Sequence, residues 1–213
     1  MEVAKAAVAK ISLVARKQRA AASTIAKAAN RFYLYGVKGK AIYGLLNDPN
    51  LNATISPITV DSNSTWATKT AADAGASANL VYADINKLVN ELATNAGGYF
   101  DANAPMVLGI SNAKFQYLAM ANTYGVTALQ LIKANYPNMS IEQVPELSTA
   151  SGDMLFLTLR EVDGVSVAEA AFSEKFVLGR MIAQLSSFEQ KASAGTFGAV
   201  VKQPAFIATM TGI

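Results

Sequence analysis

Gly195-Thr-Phe-Gly-Ala-Val-Val-Lys-Gln-Pro-Ala-Phe-Ile-Ala, followed by Gly212-Ile213, is a β-rich apolar tail on a sequence of 213 residues. A strand cannot pair its own N–H and C=O groups, so this tail must be stitched into a sheet laid down by earlier residues. The tail therefore closes a body built from the preceding chain. Two segments upstream, Glu174-Lys-Phe-Val-Leu-Gly-Arg-Met-Ile-Ala and Phe188-Glu-Gln-Lys, carry the same β-rich character.

The strands that could receive the tail lie further back. Met154 to Val162 alternates, with Leu155, Leu157 and Leu159 on one face and Thr158 and Arg160 on the other. Asp163-Gly164 is a hairpin signal, and Val165 to Phe172 is expected to return from it. Met139 to Val144 is a strand candidate, and Ala104-Pro-Met-Val-Leu-Gly-Ile reads as a buried strand. Between these two, a helix capped by Ser111 or Asn112 runs to Met120, and another runs from Thr127 to Asn135, closed by Tyr136-Pro137.

Residues 67–96 read as one long helix. Val81, Ile85, Leu88 and Leu92 share a face, and Gly97-Gly98 is a stop. Gly75 is the weak point, so the helix could begin near Ala76. Asp61, Ser62, Ser64 and Thr65 are the capping candidates, and residues 51–60 are β-prone around Ile55, Ile58 and Val60. Residues 3–33 form a further helix by the spacing of Val3, Ala7, Ile11, Val14, Ala21, Ile25, Ala28 and Phe32. Gly36 and Gly39 bound a turn, and Ala41-Ile-Tyr-Gly-Leu-Leu-Asn-Asp-Pro is an apolar loop that plugs into a core. The fold class is α+β.

The sequence contains neither Cys nor His. That excludes disulfides, thiolate nucleophiles, Cys/His zinc sites and His general bases. Gly195-Thr-Phe-Gly is not followed by the Gly-Lys-Ser/Thr of a phosphate loop, and Gly109-Ile-Ser-Asn-Ala lacks the second Gly of a nucleophile elbow. Glu142 and Glu146 read as a solvated edge, and nothing in the spacing of the Asp residues argues for paired-carboxylate chemistry. No catalytic, cofactor-binding or metal-binding residue is assigned. No apolar run approaches the ~18 residues of a membrane span, so no membrane partner is expected. Only 15% of residues are charged, against about a quarter in an ordinary domain, which points to surface hidden against other copies.

Net charge is +3, unevenly spread. Residues 1–40 hold nine Lys and Arg against Glu2 alone, a net of +8, leaving −5 for the remainder. Lys10, Arg16, Lys17, Arg19, Lys27 and Arg31 make up most of this basic head. They form a solvated helix face, meet acidic patches on a neighbouring copy, or neutralise nucleic-acid phosphates. With no aromatic before Phe32, base stacking is not expected, and any such contact would be to the backbone.

The order of elements, with Phe32-Tyr-Leu-Tyr-Gly, Tyr43-Gly-Leu-Leu-Asn-Asp-Pro, Pro105-Met-Val-Leu-Gly-Ile-Ser-Asn-Ala-Lys-Phe-Gln-Tyr-Leu and the Gly195 tail, resembles the major capsid proteins of tailed bacteriophages with the Hong Kong 97 fold. It also resembles the related encapsulin shells. The resemblance implies a peripheral domain (1–110 and 184–213) built on a spine helix at about 67–96, and an axial domain at 111–183. It implies a structural subunit of an icosahedral capsid, forming pentamers and hexamers with copies of itself around packaged DNA. It implies no enzymatic activity, no cofactor, a place in the virion and assembly in the host cytoplasm. Relatives carry an N-terminal arm and an extended hairpin before the first helix, and Met1 falls at about where that hairpin would end. The competing readings are an encapsulin-like nanocompartment subunit, a non-specific nucleic-acid-binding scaffold protein and a carboxylate hydrolase.

Overall fold

The structure, a computed structural model, describes residues 13–150, 152–185 and 187–213. The chain divides into two compact units. A helix–hairpin unit comprises Met1–Asn47 and Ala170–Val200, and a sheet unit comprises Asp48–Glu169 and Val201–Ile213. These units and the expected domain boundaries are drawn at different places. The 110/111 boundary runs along the end of one strand, Met106–Ile110, whose two neighbours in the sheet come later in the sequence.

In the sheet unit that strand is β1. It pairs in parallel with β2 (Met139–Gln143) and antiparallel with a later strand, Gly152–Leu159. Between β2 and that strand lies a two-residue strand, β3 (Ser148–Thr149), which makes Gly152–Leu159 β4. The connection from β1 to parallel β2 carries the helices, as a parallel pairing requires. The C-terminal strand, Ile207–Thr211, adds to the free side of β4, with Leu155 opposite Met210 and Leu157 opposite Ala208. The tail thus closes the sheet, as its composition demanded.

The segment Trp66–Asn95 is not one helix. The first piece, Trp66–Ala72, is capped by Thr65, whose hydroxyl accepts from Thr68 N, and ends at Asp73. Asp73 then accepts from Ala76 N and starts a 3-10 turn, Ala74–Ala76. The long piece is Ser77–Asn95. The Gly75 carbonyl receives both Thr123 N (2.9 Å) and Thr123 Oγ1 (3.1 Å). A Cβ at Gly75 would meet that hydroxyl at 2.8 Å. Ser77–Asn95 buries Val81, Ile85, Leu88 and Leu92 and contacts β4 and the C-terminal strand. On its other flank lies Ala128–Asn135, held at its start by a full capping box of Thr127 and Gln130.

Three expectations change in detail. Residues 51–60 form no ladder. Ile55 N donates to Thr209 O (2.9 Å) and Thr211 N to Ile55 O (3.0 Å), and Pro57 has no N–H to extend the pairing. Ser111 sits at a helix N-cap, but its hydroxyl makes no cap bond, and the short Asn112–Phe115 helix tightens into a 3-10 turn at Gln116–Ala119. The return from Asp163-Gly164 begins as a two-residue pairing, Glu161–Val162 (β5) with Val165–Ser166 (β6), and both turn residues have positive φ (52° and 75°). The long strand, β7 (Ala168–Ala183), starts only after this pair.

One polar cluster sits inside the sheet unit. Asp84 is buried on the apolar face of Ser77–Asn95 and pairs with buried Lys69. Its carboxylate also accepts from Ile58 N (2.7 Å) and Trp66 Nε1 (2.8 Å). The Lys69 ammonium donates to Ile58 O as well (2.9 Å). Every member is satisfied, so the cluster ties Ile58 to two helices.

Candidate assembly surface

The helix–hairpin unit is built from α1 (Leu13–Tyr35) and the hairpin of β7 (Ala168–Ala183) with β8 (Phe188–Val201). Ala-rich sequence favours the helix, and its 23 residues extend about 34 Å. The chain leaves it through Gly36 (φ 63°) and doubles back, so that Leu45 N and Leu46 N bond to Tyr33 O (2.8 Å) and Leu34 O (2.9 Å). Asn47 fixes the return, accepting from Gly44 N (2.6 Å) and donating to Tyr35 O (2.7 Å). This is the apolar plug read from Ala41 to Pro49. Gly198 (φ 81°) brings β8 against it, with Ala199 N donating to Tyr43 O (3.2 Å). Two of the quoted capsid-like segments therefore meet at one glycine.

Contact between α1 and the hairpin is open. Gln18 reaches Gln190 (2.9 Å), but two hollows separate the elements. One, about 610 Å³, is floored by small residues such as Ala29, Ala192 and Gly195, with Phe32 and Phe172 beside them. The other, about 310 Å³, lies between Val14 and Ala21 on α1 and Leu178, Met181 and Phe188 on the hairpin. The expected stripe therefore splits. Ala21 and Ile25 are half-buried, whereas Val14, Ala28 and Phe32 are exposed along the hollows. Val3, Ala7 and Ile11 lie outside the described residues.

Most of the basic residues stand away from that seam, although Lys17 borders the smaller hollow. Arg16, Lys17, Arg19, Lys27 and Arg31 are all exposed. At 3.6 residues per turn they occupy an arc of about 160°, opposite the half-buried Gln18, Ile25 and Ala29. Lys27 and Arg31 join Lys38, Phe32 and Tyr35 around a third hollow of about 530 Å³. Lys38 was not singled out from the sequence, since it lies past the helix end. Lys10 lies outside the described residues. Burial in this unit pushes the Tyr33 hydroxyl above its ordinary pKa.

The hairpin's outward side chains were also missed. Phe172, Ile182, Leu185, Phe188, Phe197 and Val200 stand about half exposed or more, Leu185 completely. An ordinary monomer covers such residues. A family model described as Pa193 gp26 major capsid protein matches residues 1–212. The chain belongs to this capsid-protein family. The fold of this major capsid protein agrees. The capsid of Myoviridae phage XM1 superposes with a TM-score of 0.74 at 12% identity, covering 100% of this chain and 69% of that one. A virus-like particle from Pyrococcus furiosus (TM-score 0.46, 14% identity, 75% and 57% covered) and a chain from Mycobacterium phage Che8 (0.43, 14%, 74% and 53%) are more distant. No curated protein sequence matches the chain. The protein is thus a structural, non-enzymatic capsid subunit of the Hong Kong 97 type, and its place is the phage virion. No described helix is long and apolar enough to cross a membrane.

Proposed function

We propose that this capsid protein closes into pentamers and hexamers of an icosahedral shell around packaged double-stranded DNA, assembling in the host cytoplasm. The observation that carries the reading is the exposed apolar hairpin in a protein of the capsid family, since repeated rotation-related contacts would cover it. Electron microscopy of the purified chain tests it. Closed shells or capsomer rings are expected, and a protein that stays monomeric at every concentration and salt refutes it.

The domain roles follow the compact units in this proposal. The sheet unit meets the symmetry axis, and the helix–hairpin unit is the peripheral domain. The spine role then falls to α1, an uninterrupted helix, and not to 67–96, which Asp73 divides. The exposed arc of Arg16, Lys17, Arg19, Lys27 and Arg31, with Lys10 before it, faces the DNA backbone or a neighbouring copy. One-sided cations with few aromatics suit phosphate contact without sequence preference. Reversing Arg16, Lys27 and Arg31 to Glu in assembling protein should lower DNA retention. Unchanged retention assigns the arc to protein contact or solvent instead.

A further inference from the structure

We infer that the hollow at the C-terminal end of α1 holds one unpaired nucleotide of a nucleic-acid strand, its phosphate among Lys27, Arg31 and Lys38 and its base against Phe32. The inference rests on the reading of the basic arc as a phosphate-contacting face and adds an unpaired base as the ligand.

Three observations carry it. The first is what lines the hollow. Its volume, about 530 Å³, falls within the roughly 300–1,000 Å³ of small-molecule sites. Among the described residues, three cations line it and no Asp or Glu does. Lys27, Arg31 and Tyr35 follow one another at four-residue steps along one line of the helix, and Ala28 and Phe32 form the line beside it. Helical side chains lean toward the preceding turn, where Ala28 is too small to cover Phe32, which is 37% exposed. Charge and an open aromatic surface therefore stand side by side.

The second is that the third cation is held in place. Lys38 lies beyond the helix, and the chain reaches it through Gly36, where a Cβ would meet Ile42 O at 2.1 Å. The turn that carries Lys38 is closed by Val37 N to Ile42 O (2.9 Å) and Lys40 N to Val37 O (3.1 Å). The Lys38 backbone is thereby set beside the last turn of α1, and its charge adds without the cost of ordering a loop.

The third is the helix end itself. A helix C-terminus carries partial negative charge on its unpaired carbonyls, which repels phosphate. Here the last four carbonyls are all occupied. Phe32 O accepts from Gly36 N (2.8 Å), Tyr33 O from Leu45 N (2.8 Å), Leu34 O from Leu46 N (2.9 Å) and Tyr35 O from Asn47 Nδ2 (2.7 Å). An anion in the hollow meets cations in place of bare carbonyls. Cations beside an aromatic face are the chemistry by which single strands are held without sequence preference, since every base has a π-face. A duplex keeps its bases stacked and offers this hollow only phosphate.

Fluorescence polarisation of the purified, unassembled chain tests this, with a labelled oligo-dT strand, an abasic strand of equal length and a duplex. Phe32→Leu should weaken oligo-dT binding roughly fivefold or more, the loss of one stacked base, and leave duplex binding unchanged. The abasic strand should bind wild type more weakly than oligo-dT by a similar factor and be indifferent to Phe32→Leu. Lys38→Gln should flatten the log–log salt dependence of oligo-dT binding by about 0.7. Both positions are exposed, so the circular dichroism spectrum should not change. Competition by dTMP separates the two sources of a nucleotide. Displacement only at concentrations far above that of the strand supports the strand, and displacement at equal nucleotide concentration overturns it in favour of a free nucleotide. Wild-type oligo-dT affinity in Phe32→Leu, an abasic strand bound as tightly as oligo-dT, or an unchanged salt slope in Lys38→Gln each overturns the inference and leaves the backbone-contact reading of the arc intact. Failure of both oligo-dT and duplex to bind at low salt overturns that reading, and the inference with it.

Discussion

The two units spend the same kinds of residue in opposite ways. In the sheet unit, leucines such as Leu157 are sealed, and even a lysine and an aspartate are buried as a satisfied pair. In the helix–hairpin unit, leucines and phenylalanines of similar size face outward around open hollows, with Arg16, Arg19, Lys27 and Arg31 on the outward arc of the helix. The first is a core that completes itself. The second leaves its apolar side chains uncovered, the surface over which we propose that copies of the chain close. Apolar side chains alone do not say which is which; the number of covering layers does.

The largest effect expected from this contrast is at Asp84. Asp84→Ala strands the Lys69 ammonium, Trp66 N–H and Ile58 N–H in the interior, and should cost about 3–5 kcal/mol in urea denaturation. The double change Lys69→Met with Asp84→Leu should recover only part of that loss, because no unpaired charge remains but Trp66 Nε1–H and Ile58 N–H still lack an acceptor. A single Asp84→Ala within about 0.5 kcal/mol of wild type would mean that the pair is not sealed.

Next comes a matched pair of truncations. Leu157→Ala removes a fully buried side chain (0% exposed) and should cost about 2–5 kcal/mol in the unassembled protein. Leu178→Ala (39% exposed) should cost under about 1 kcal/mol there, while lowering shell yield. Equal costs in the monomer would erase the distinction between the two units.

Gly198 sits at φ 81° against the Tyr43 carbonyl. Gly198→Ala should therefore destabilise the helix–hairpin unit by about 1–3 kcal/mol, read as faster amide exchange at Leu45 and Leu46 with the sheet unit's exchange unchanged.

The smallest effect is in alkali. Tyr33 has its pKa raised by burial, so the folded state favours the neutral phenol. That contribution is complete below the unfolded pKa of about 10 and is lost as pH rises through the folded value. Melting temperatures measured between about pH 9 and 11 should fall less for Tyr33→Phe than for wild type.

Much of the sheet unit was legible because its signals are local or strictly periodic. The closing strand announced itself by apolar β-prone residues, and Thr127 and Gln130 by cap spacing. The Asp163-Gly164 turn was readable from its dipeptide. The buried pair was not read, although Asp84 stands three residues after Val81 and one before Ile85, inside the apolar stripe. A carboxylate on a core face was the available sign, but its partner lies fifteen residues away, at a distance no periodicity encodes. The hairpin's length was hidden for a different reason. β7 and much of β8 are exposed, so they carry little inward–outward alternation, and Ala, Ser and Gly stand where a buried strand would show Val and Ile. The basic arc of α1 was visible as a charge imbalance, whereas Lys38 enters it only through the turn at Gly36.

Trp66 is the single tryptophan of the chain, and it lies buried beside Asp84, edge-on to Tyr117 at 6.2 Å. Its fluorescence is therefore a private reporter on the sheet unit, quenched or red-shifted only when that core opens. Melting followed by indole emission would remain blind to fraying of the hairpin, and an optical midpoint obtained this way would describe one portion of the subunit.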